Sequence, residues 1–484
     1  MEEGNLVFPS IFFGNLSVMF CKRHFAAVVL SAVLVSALSQ AVLAQTIPHG
    51  IYLTVDEARP VISEMSAEAP ADLLNLTGAA AAATWTKWVT GQDTGIRARL
   101  GQGDEDSLVN LLLFGTSFTK QPRILFAQLQ KPDESLKAVF NARLDDFVTA
   151  LAAPGTNERM LFARQVLLQT HGMKLTSAAD REKIKDFMRA NLARIFQESD
   201  KYGAIIAAAR LQNNPSFEFA ERSKLYKDRG LSSDTQTQPN YGLETALREL
   251  KEKGSIGKIL KVGIAGPGLD FTDKQEGYDF YPLQSIQPFA VMDSLVKLGL
   301  ADKRNLKLVT MDISPRINLH IQNARKNALA ERPYNVTIPI DNKVEWTPSF
   351  VDFWKVLGNQ VGKEKPLPQP PGFARARVVT VDPAVVANVS PSDVNIVLQH
   401  LELAPAEKFD LIIATNIMIY YDGFQQALAM ANIEKMLKPG GIFLCNNSMP
   451  ETAATNLHSI GYSSVKYSTN PPSGDIIVWY QKGK

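Results

Sequence analysis

The chain has little of several things that commonly announce a function. Its 484 residues include two cysteines, Cys21 and Cys445, too few for a disulfide framework or a cysteine-rich zinc site. The six histidines (His24, His49, His171, His320, His400 and His458) are widely separated. None pairs at ligand spacing, so no metal site is expected and an HExxH zinc hydrolase is excluded as a motif. Neither sign of charge is in excess: 51 Lys+Arg stand against 49 Asp+Glu. That balance argues against a basic nucleic-acid face and against an acidic solvating tail. No repeat recurs at a fixed period. What the chain does have is length and apolar content. At 45% hydrophobic it can build a sizeable core without staples, and its length fits two or three domains of about 150 residues or more.

The amino terminus reads as an address. Lys22 and Arg23 precede an apolar run from Phe25 to Leu38, and Val42-Leu43-Ala44 supplies small residues at a cleavage position. This is the order of a secretory signal peptide. Acidic Glu2 and Glu3 fit it poorly, so translation is expected to begin at Met19. The other reading is an uncleaved anchor, because Phe25–Ala44 supplies about the 20 residues a bilayer span needs. Under both readings Lys22 and Arg23 stay cytoplasmic and the rest is exported, to the periplasm or beyond. Contact with a membrane is then expected only through this segment.

Two folded domains are expected after residue 44. Residues 45–250 read as α-helical: Leu136–Leu151 and Glu182–Ser199 carry apolar residues at three- and four-residue spacing. Leu108–Phe114 is apolar almost all round, as in a buried helix. Asp104-Glu105-Asp106 before it would suit a helix start, and Gly115–Thr119 after it a hydroxyl-rich turn. Gly230–Gly242, rich in Ser, Asp, Thr, Gln and Asn, reads as a linker. From residue 254 to 484, β-branched runs alternate with helical segments, the pattern of an α/β domain with a parallel sheet. Strands are expected at Ile259–Ala265, Leu306–Asp312, Arg377–Asp382, Asp410–Thr415 and Gly441–Asn446. Ser464–Tyr467 and Asp475–Tyr480 then form an antiparallel hairpin.

The strand ends carry the chemistry. The first strand runs into Gly266-Pro267-Gly268, where glycines permit close backbone approach of a ligand. The second ends in Asp312, whose two oxygens can accept from a ribose diol or cap the helix that starts at Pro315. The third ends in Asp382, suited to an adenine amino group or to a plain strand-end turn.

Phe409-Asp410-Leu411-Ile412, followed by Leu437-Lys438-Pro439-Gly440-Gly441 and a strand, resembles class I S-adenosylmethionine-dependent methyltransferases over residues 254–484. Asn416-Ile-Met-Ile-Tyr420-Tyr421-Asp422 looks most like the equivalent stretch of CheR-type protein-glutamate methyltransferases. The resemblance implies a seven-stranded Rossmann-like sheet whose seventh strand inserts antiparallel. It also implies S-adenosylmethionine as cofactor, with Gly266 and Gly268 at the methionine part, Asp312 at the ribose and Asp382 at the adenine. Asn416, with Tyr420 and Tyr421, would lie at the methyl-donor end, so that Asn416 and Tyr420 are catalytic candidates. The acceptor it suggests is a protein carboxylate, with a small molecule equally open. Two departures stand out: Ile264 replaces the acidic residue usual in the first strand, and Asp270 replaces the third glycine. Asp270 or Asp273 would then meet the cofactor's amino group. The loop Glu276–Pro282 adds a lid or substrate wall, with Tyr281 a further catalytic candidate. Two other readings compete. One is an exported, non-catalytic binding protein on the same scaffold. The other is a nicotinamide-dependent dehydrogenase, supported only by Gly266-x-Gly268, since Phe271 occupies the third glycine position of that fingerprint.

Overall fold

In the computed structural model, the described residues are 47–483 apart from 75–76, 130–132, 211–220, 222–225, 228, 271–278, 368–369, 371 and 373. The expected export signal therefore lies outside the described residues, as do Asp273 and part of the Glu276–Pro282 loop. No helix among the described residues is long and apolar enough to cross a membrane.

The helices in the first half are α1 (Val55–Glu64), α2 (Ala79–Phe114), α3 (Glu134–Ala152), α4 (Glu158–Arg164) and α5 (Ala178–Arg210). α3 and α5 form where three- and four-residue apolar spacing predicts them, over Leu136–Leu151 and Glu182–Ser199. One boundary differs. Leu108–Phe114 is the buried end of the 36-residue helix α2, so Asp104, Glu105 and Asp106 lie mid-helix. There they meet Arg316, His171 and Arg194 as side-chain partners and do not serve a helix start.

α6 (Gln238–Glu252) leads into the sheet. Its strands are β1 (Lys261–Ala265), β2 (Lys307–Asp312), β3 (Val389–Asp393), β4 (Phe409–Ala414), β5 (Leu437–Cys445), β6 (Leu457–Asn470) and β7 (Pro472–Lys482). They lie in the order β3-β2-β1-β4-β5-β7-β6, and the short strand Glu345–Trp346 extends the β6 edge to make eight. β3, β2, β1, β4 and β5 run parallel. β7 inserts antiparallel between β5 and β6, as expected. The connecting helices are α7 (Gln287–Lys297), α8 (Pro315–Leu329), α9 (Pro348–Val356) and α10 (Gly423–Met436).

One expected strand sits elsewhere. The sequence pattern predicts Arg377–Asp382 in the parallel sheet, but Ala374–Val381 pairs antiparallel with Tyr334–Asp341 and Gly362–Lys365 in a separate three-stranded sheet. The third parallel strand is instead Val389–Asp393, which holds Pro391 and two serines and so lacks the β-branched run that marks its neighbours.

Side chains alternate between the two faces of the sheet, as the two-residue period requires. Leu411, Ile413, Ile442 and Leu444 join a core with α6, α7 and α8. Ile412, Ala414, Phe443 and Cys445 face the other way, against α1, α10 and the first half of α2. Both faces of the parallel strands are covered, which is why these segments read as continuous apolar runs. The far half of α2 packs with α3, α4 and α5 around a third core. Helix α2 thus belongs to two cores, and residues 47–484 form one compact unit.

Candidate functional site

The chain leaves β1 for β2 and β3 on one side, then returns to β4 on the other. The carboxyl ends of β1 and β4 therefore flank a crevice where strand order reverses, the place at which open α/β sheets bind ligands. A cavity of about 340 Å³ lies there, within the size range of small-molecule sites, roughly 300–1,000 Å³. Its sheet-side wall is made of strand ends: Gly266 and Gly268 after β1, Met311–Ser314 at β2, Val394–Ile396 after β3, and Thr415–Ile417 with Ile419–Tyr421 after β4.

Asp312 ends β2 and is 7% exposed. Its carboxylate accepts from the Ser314 amide at 2.8 Å. Burial, with a smaller push from Asp393, raises its pKa to about 7. A carboxylate so poor in solvent suits a ligand that brings hydroxyl donors. Asp312 lines the cavity, and its bond to Ser314 N forms a turn just ahead of α8, whose N-cap is Ser314 itself, so the expected cap is not Asp312.

The glycine turn is shaped mainly by protein neighbours. Gly266 and Gly268 have φ of +64° and +69°, which favour glycine. A Cβ on Gly266 would collide with the Ile417 side chain, and one on Gly268 would lie 2.8 Å from Thr235 Cβ. The Leu269 amide donates to Ser233 O at 2.8 Å, so that donor faces the protein.

Beyond β4, Asn416 adopts φ +59°, tolerated by Asn because its short amide can bond locally. Its backbone N–H donates to Asn446 Oδ1 at 2.8 Å, and Asn446 Nδ2 donates to Asn416 Oδ1 at 2.6 Å. Thr415 Oγ1 accepts from Gln287 Nε2 at 2.8 Å. Tyr420 meets Tyr226 edge to face at 5.4 Å. Tyr421 is buried, which raises its phenol pKa and keeps it neutral.

Gly266, Gly268, Asp312, Asn416, Tyr420 and Tyr421 therefore converge on one cavity. Asp382, Asp270 and Tyr281 do not line it. Asp382 caps the turn Pro383–Val386 through the Ala384 amide and faces Lys303 at 3.5 Å, because its strand belongs to the separate sheet. Asp270 is buried and accepts from Gln284 Nε2 at 2.7 Å. It lines a smaller neighbouring cleft with Tyr281, Asp341 and Trp346. Tyr281 is fixed there by Arg159, which bonds its carbonyl oxygen and stacks over its ring at 5.3 Å. The Gly115–Thr119 turn also has an internal partner: the Thr116 and Ser117 amides donate to the Asp279 carboxylate at 2.8 and 2.9 Å.

The opposite wall was not expected from the sequence. Leu100, Tyr226 and the stretch Leu231–Gln236 complete the cavity, so the expected linker is a wall. It crosses α2 where Gly103 lies, and a Cβ there would fall on the Leu231 carbonyl. Leu231 N donates to Arg99 O at 3.0 Å. The Arg99 guanidinium donates to the carbonyls of Tyr226, Arg229 and Tyr420, tying this wall to the β4 side. Helix α2 also holds the β3 end. Asp93 accepts from Asn395 Nδ2 at 2.7 Å and from Tyr52 at 2.8 Å, while Arg97 pairs with Asp393 at 2.8 Å. The available signal was Gly103, since an interior helical glycine costs roughly 1 kcal/mol and here has a packing reason, whereas Gly101 has open space beside it.

No protein-family model and no curated protein matches the chain. Among solved structures, the N-methyltransferase NodS from Bradyrhizobium japonicum WM9, in complex with S-adenosyl-L-homocysteine, is 12% identical. The match covers 55% of this chain and 99% of that one, at a TM-score of 0.26. Magnesium protoporphyrin IX methyltransferase (ChlM) from Synechocystis PCC 6803, with bound SAM, is 10% identical over 57% and 96%, at 0.25. MtNAS, in complex with MTA and tNA, is 11% identical over 74% and 93%, at 0.24. At these TM-scores the likeness adds nothing to what strand order and site geometry establish.

Proposed function

We propose that the chain is an S-adenosylmethionine-dependent methyltransferase. The observation that carries this reading is the convergence, at one switch-point cavity, of the glycine turn, the buried Asp312 and the Asn416–Tyr421 segment. The antiparallel β7 beside β5 supports it, because the motif resemblance implies that insertion and the nicotinamide reading gives no reason to expect it.

The residues fit the cofactor. Asp312 would accept from the ribose hydroxyls, and Ile313, Ile317, Val394 and Ile396 would give the base an apolar slot. Asp382 has no part in this; Asn395, two residues past the end of β3, lines the cavity in its place. Bound here, the cofactor supplies a methyl group on a positively charged sulfur. Tyr420 and Tyr421 offer aromatic rings suited to a nearby cation. The chain's contribution to transfer is to hold donor and acceptor aligned and dry, a task served by the Arg99 tie between the Tyr226, Arg229 and Tyr420 carbonyls and by the Asn416–Asn446 clamp. The acceptor is a protein carboxylate, as the CheR-like motif suggests, or a small molecule. The amino-terminal segment would export the protein or anchor it.

Calorimetric titration of the full chain tests the reading. Heat on adding S-adenosylhomocysteine, with none from NADH, is the expected result. Silence with the nucleoside ligand would sink it, and binding of NADH in its place would restore the dehydrogenase reading.

A further inference from the structure

Resting on that reading, we infer that a brace from the amino-terminal half, made of Asp93 on α2 and the strap Pro48–Tyr52, positions the wall against which the cofactor's base would lie. That wall is Val394–Ile396. The β2–β3 ladder ends at the pair Asp312–Asp393, so these residues lie just beyond it and take a second support from elsewhere. Apolar side chains such as Val394 and Ile396 sense the shape of a base. Telling one base from another takes polar groups held at fixed positions, which along this wall requires a fixed main chain. The Asn395 side chain is committed to that task. Its Nδ2 donates to Asp93 Oδ1 at 2.7 Å, and its Oδ1 accepts from the Val397 amide at 3.3 Å.

The brace is continuous from strap to wall. Gly50 N donates to Asp393 O at 2.9 Å, and Asp393 N donates to Pro48 O at 2.8 Å. His49 Nδ1 lies 3.3 Å from the Asp393 carboxylate. Ile51 and Tyr52 then pair antiparallel with His400 and Gln399. Gln399 reaches back to the wall, its Oε1 accepting from the Asn395 amide at 2.9 Å. A second line runs through buried Asp93, which accepts from the Tyr52 hydroxyl, from Arg97 and from Asn395. A buried network satisfied in this way specifies one arrangement of its members. The strap also fits closely: a Cβ on Gly50 would lie 2.8 Å from Gln399 Cβ and 3.3 Å from Val394 Cγ1. Gly50, Tyr52, Asp93 and Gln399 stand outside the cavity lining. Each acts through the wall, as a positioning residue.

Two ligands that differ only in the base separate this role from a structural one. S-inosylhomocysteine carries an oxo group and a ring N–H where S-adenosylhomocysteine has an amino group and an unprotonated ring nitrogen. In calorimetric titration of the full chain, the wild type is expected to prefer the adenine ligand by about tenfold or more, the scale of a mispaired buried polar group. Gly50→Ala, by pushing on Gln399 and Val394, and Asp93→Asn, by loosening Asn395, should each narrow that preference about fivefold. Urea unfolding of the same chains reports loss of stability separately. Tyr52→Phe, which removes a single bond to Asp93, is the mildest probe should either of the others fail to fold, and should narrow the preference about twofold. A preference kept at its wild-type value, with affinities unchanged or with both ligands weakened equally, would make the brace a plain support and overturn the inference. So would a wild type that binds both ligands alike, while leaving the methyltransferase reading intact. A wild type that binds neither would remove both.

Discussion

The two walls of the cavity are made in different ways. The sheet-side wall consists of strand ends, each fixed by its own parallel ladder, and its residues lie within a few positions of a strand terminus. The helix-side wall is a loop, Leu231–Gln236, held by partners far away in sequence: Ser107 and Arg99 on α2, Leu269 after β1 and Arg316 on α8. The first wall is set by secondary structure, the second by tertiary packing. One wall of the cavity is therefore held by residues far outside the recognisable motifs.

Removing the strongest element of the sheet wall tests that contrast first. Asp312→Ala should lower affinity for S-adenosylhomocysteine by about 100-fold or more, as two hydrogen bonds to a charged group are lost, measured by calorimetry. The matching attack on the other wall is Gly103→Ala. The added methyl would drive the Leu231 backbone off helix α2 at a cost of about 2 kcal/mol. Urea unfolding should register that loss together with weaker ligand binding. If stability falls and affinity does not, the second wall is only a support.

A smaller effect separates the walls by pH. Asp312 is held near pKa 7 by burial. A ligand that donates hydroxyls to it favours the ionised form, so affinity should fall about tenfold between pH 8 and pH 6. The sign for folding is opposite. The native state keeps the Asp312 proton at pH values where the unfolded chain has lost it, so this group's contribution to stability declines as pH rises from about 4 to about 7. Asp312→Asn should flatten both profiles at this position. The smallest effect belongs to Asp382→Ala, which should cost about 1 kcal/mol as a lost cap and leave ligand affinity within about twofold.

The difference between the walls also explains what the sequence disclosed. β1, β2, β4, β5 and the hairpin were legible because buried parallel strands are written as short β-branched runs. Gly266, Gly268, Asp312 and Asn416 were legible because they follow those runs directly. Asp312 and Asp382 looked alike on paper, each an aspartate at a strand end before a proline. Only the pairing partners distinguish them: β2 sits beside β1, whereas Ala374–Val381 pairs with Tyr334–Asp341. The true third strand, with Pro391 and Ser392, carried no strand signal. Leu231–Gln236 was illegible for a different reason. A polar stretch of Ser, Asp and Thr reads as linker when its anchors lie more than a hundred residues away in the chain, as Ser107 does. Gly103 recorded that crossing, without naming what crossed.

A crystal structure of the full chain with S-adenosylhomocysteine tests the central claim most directly. The account predicts the ribose hydroxyls on Asp312, the base between Ile313 and Ile396, and the amino-acid end toward Gly268. Ligand density absent from this cavity, or a ribose placed away from Asp312, would contradict it.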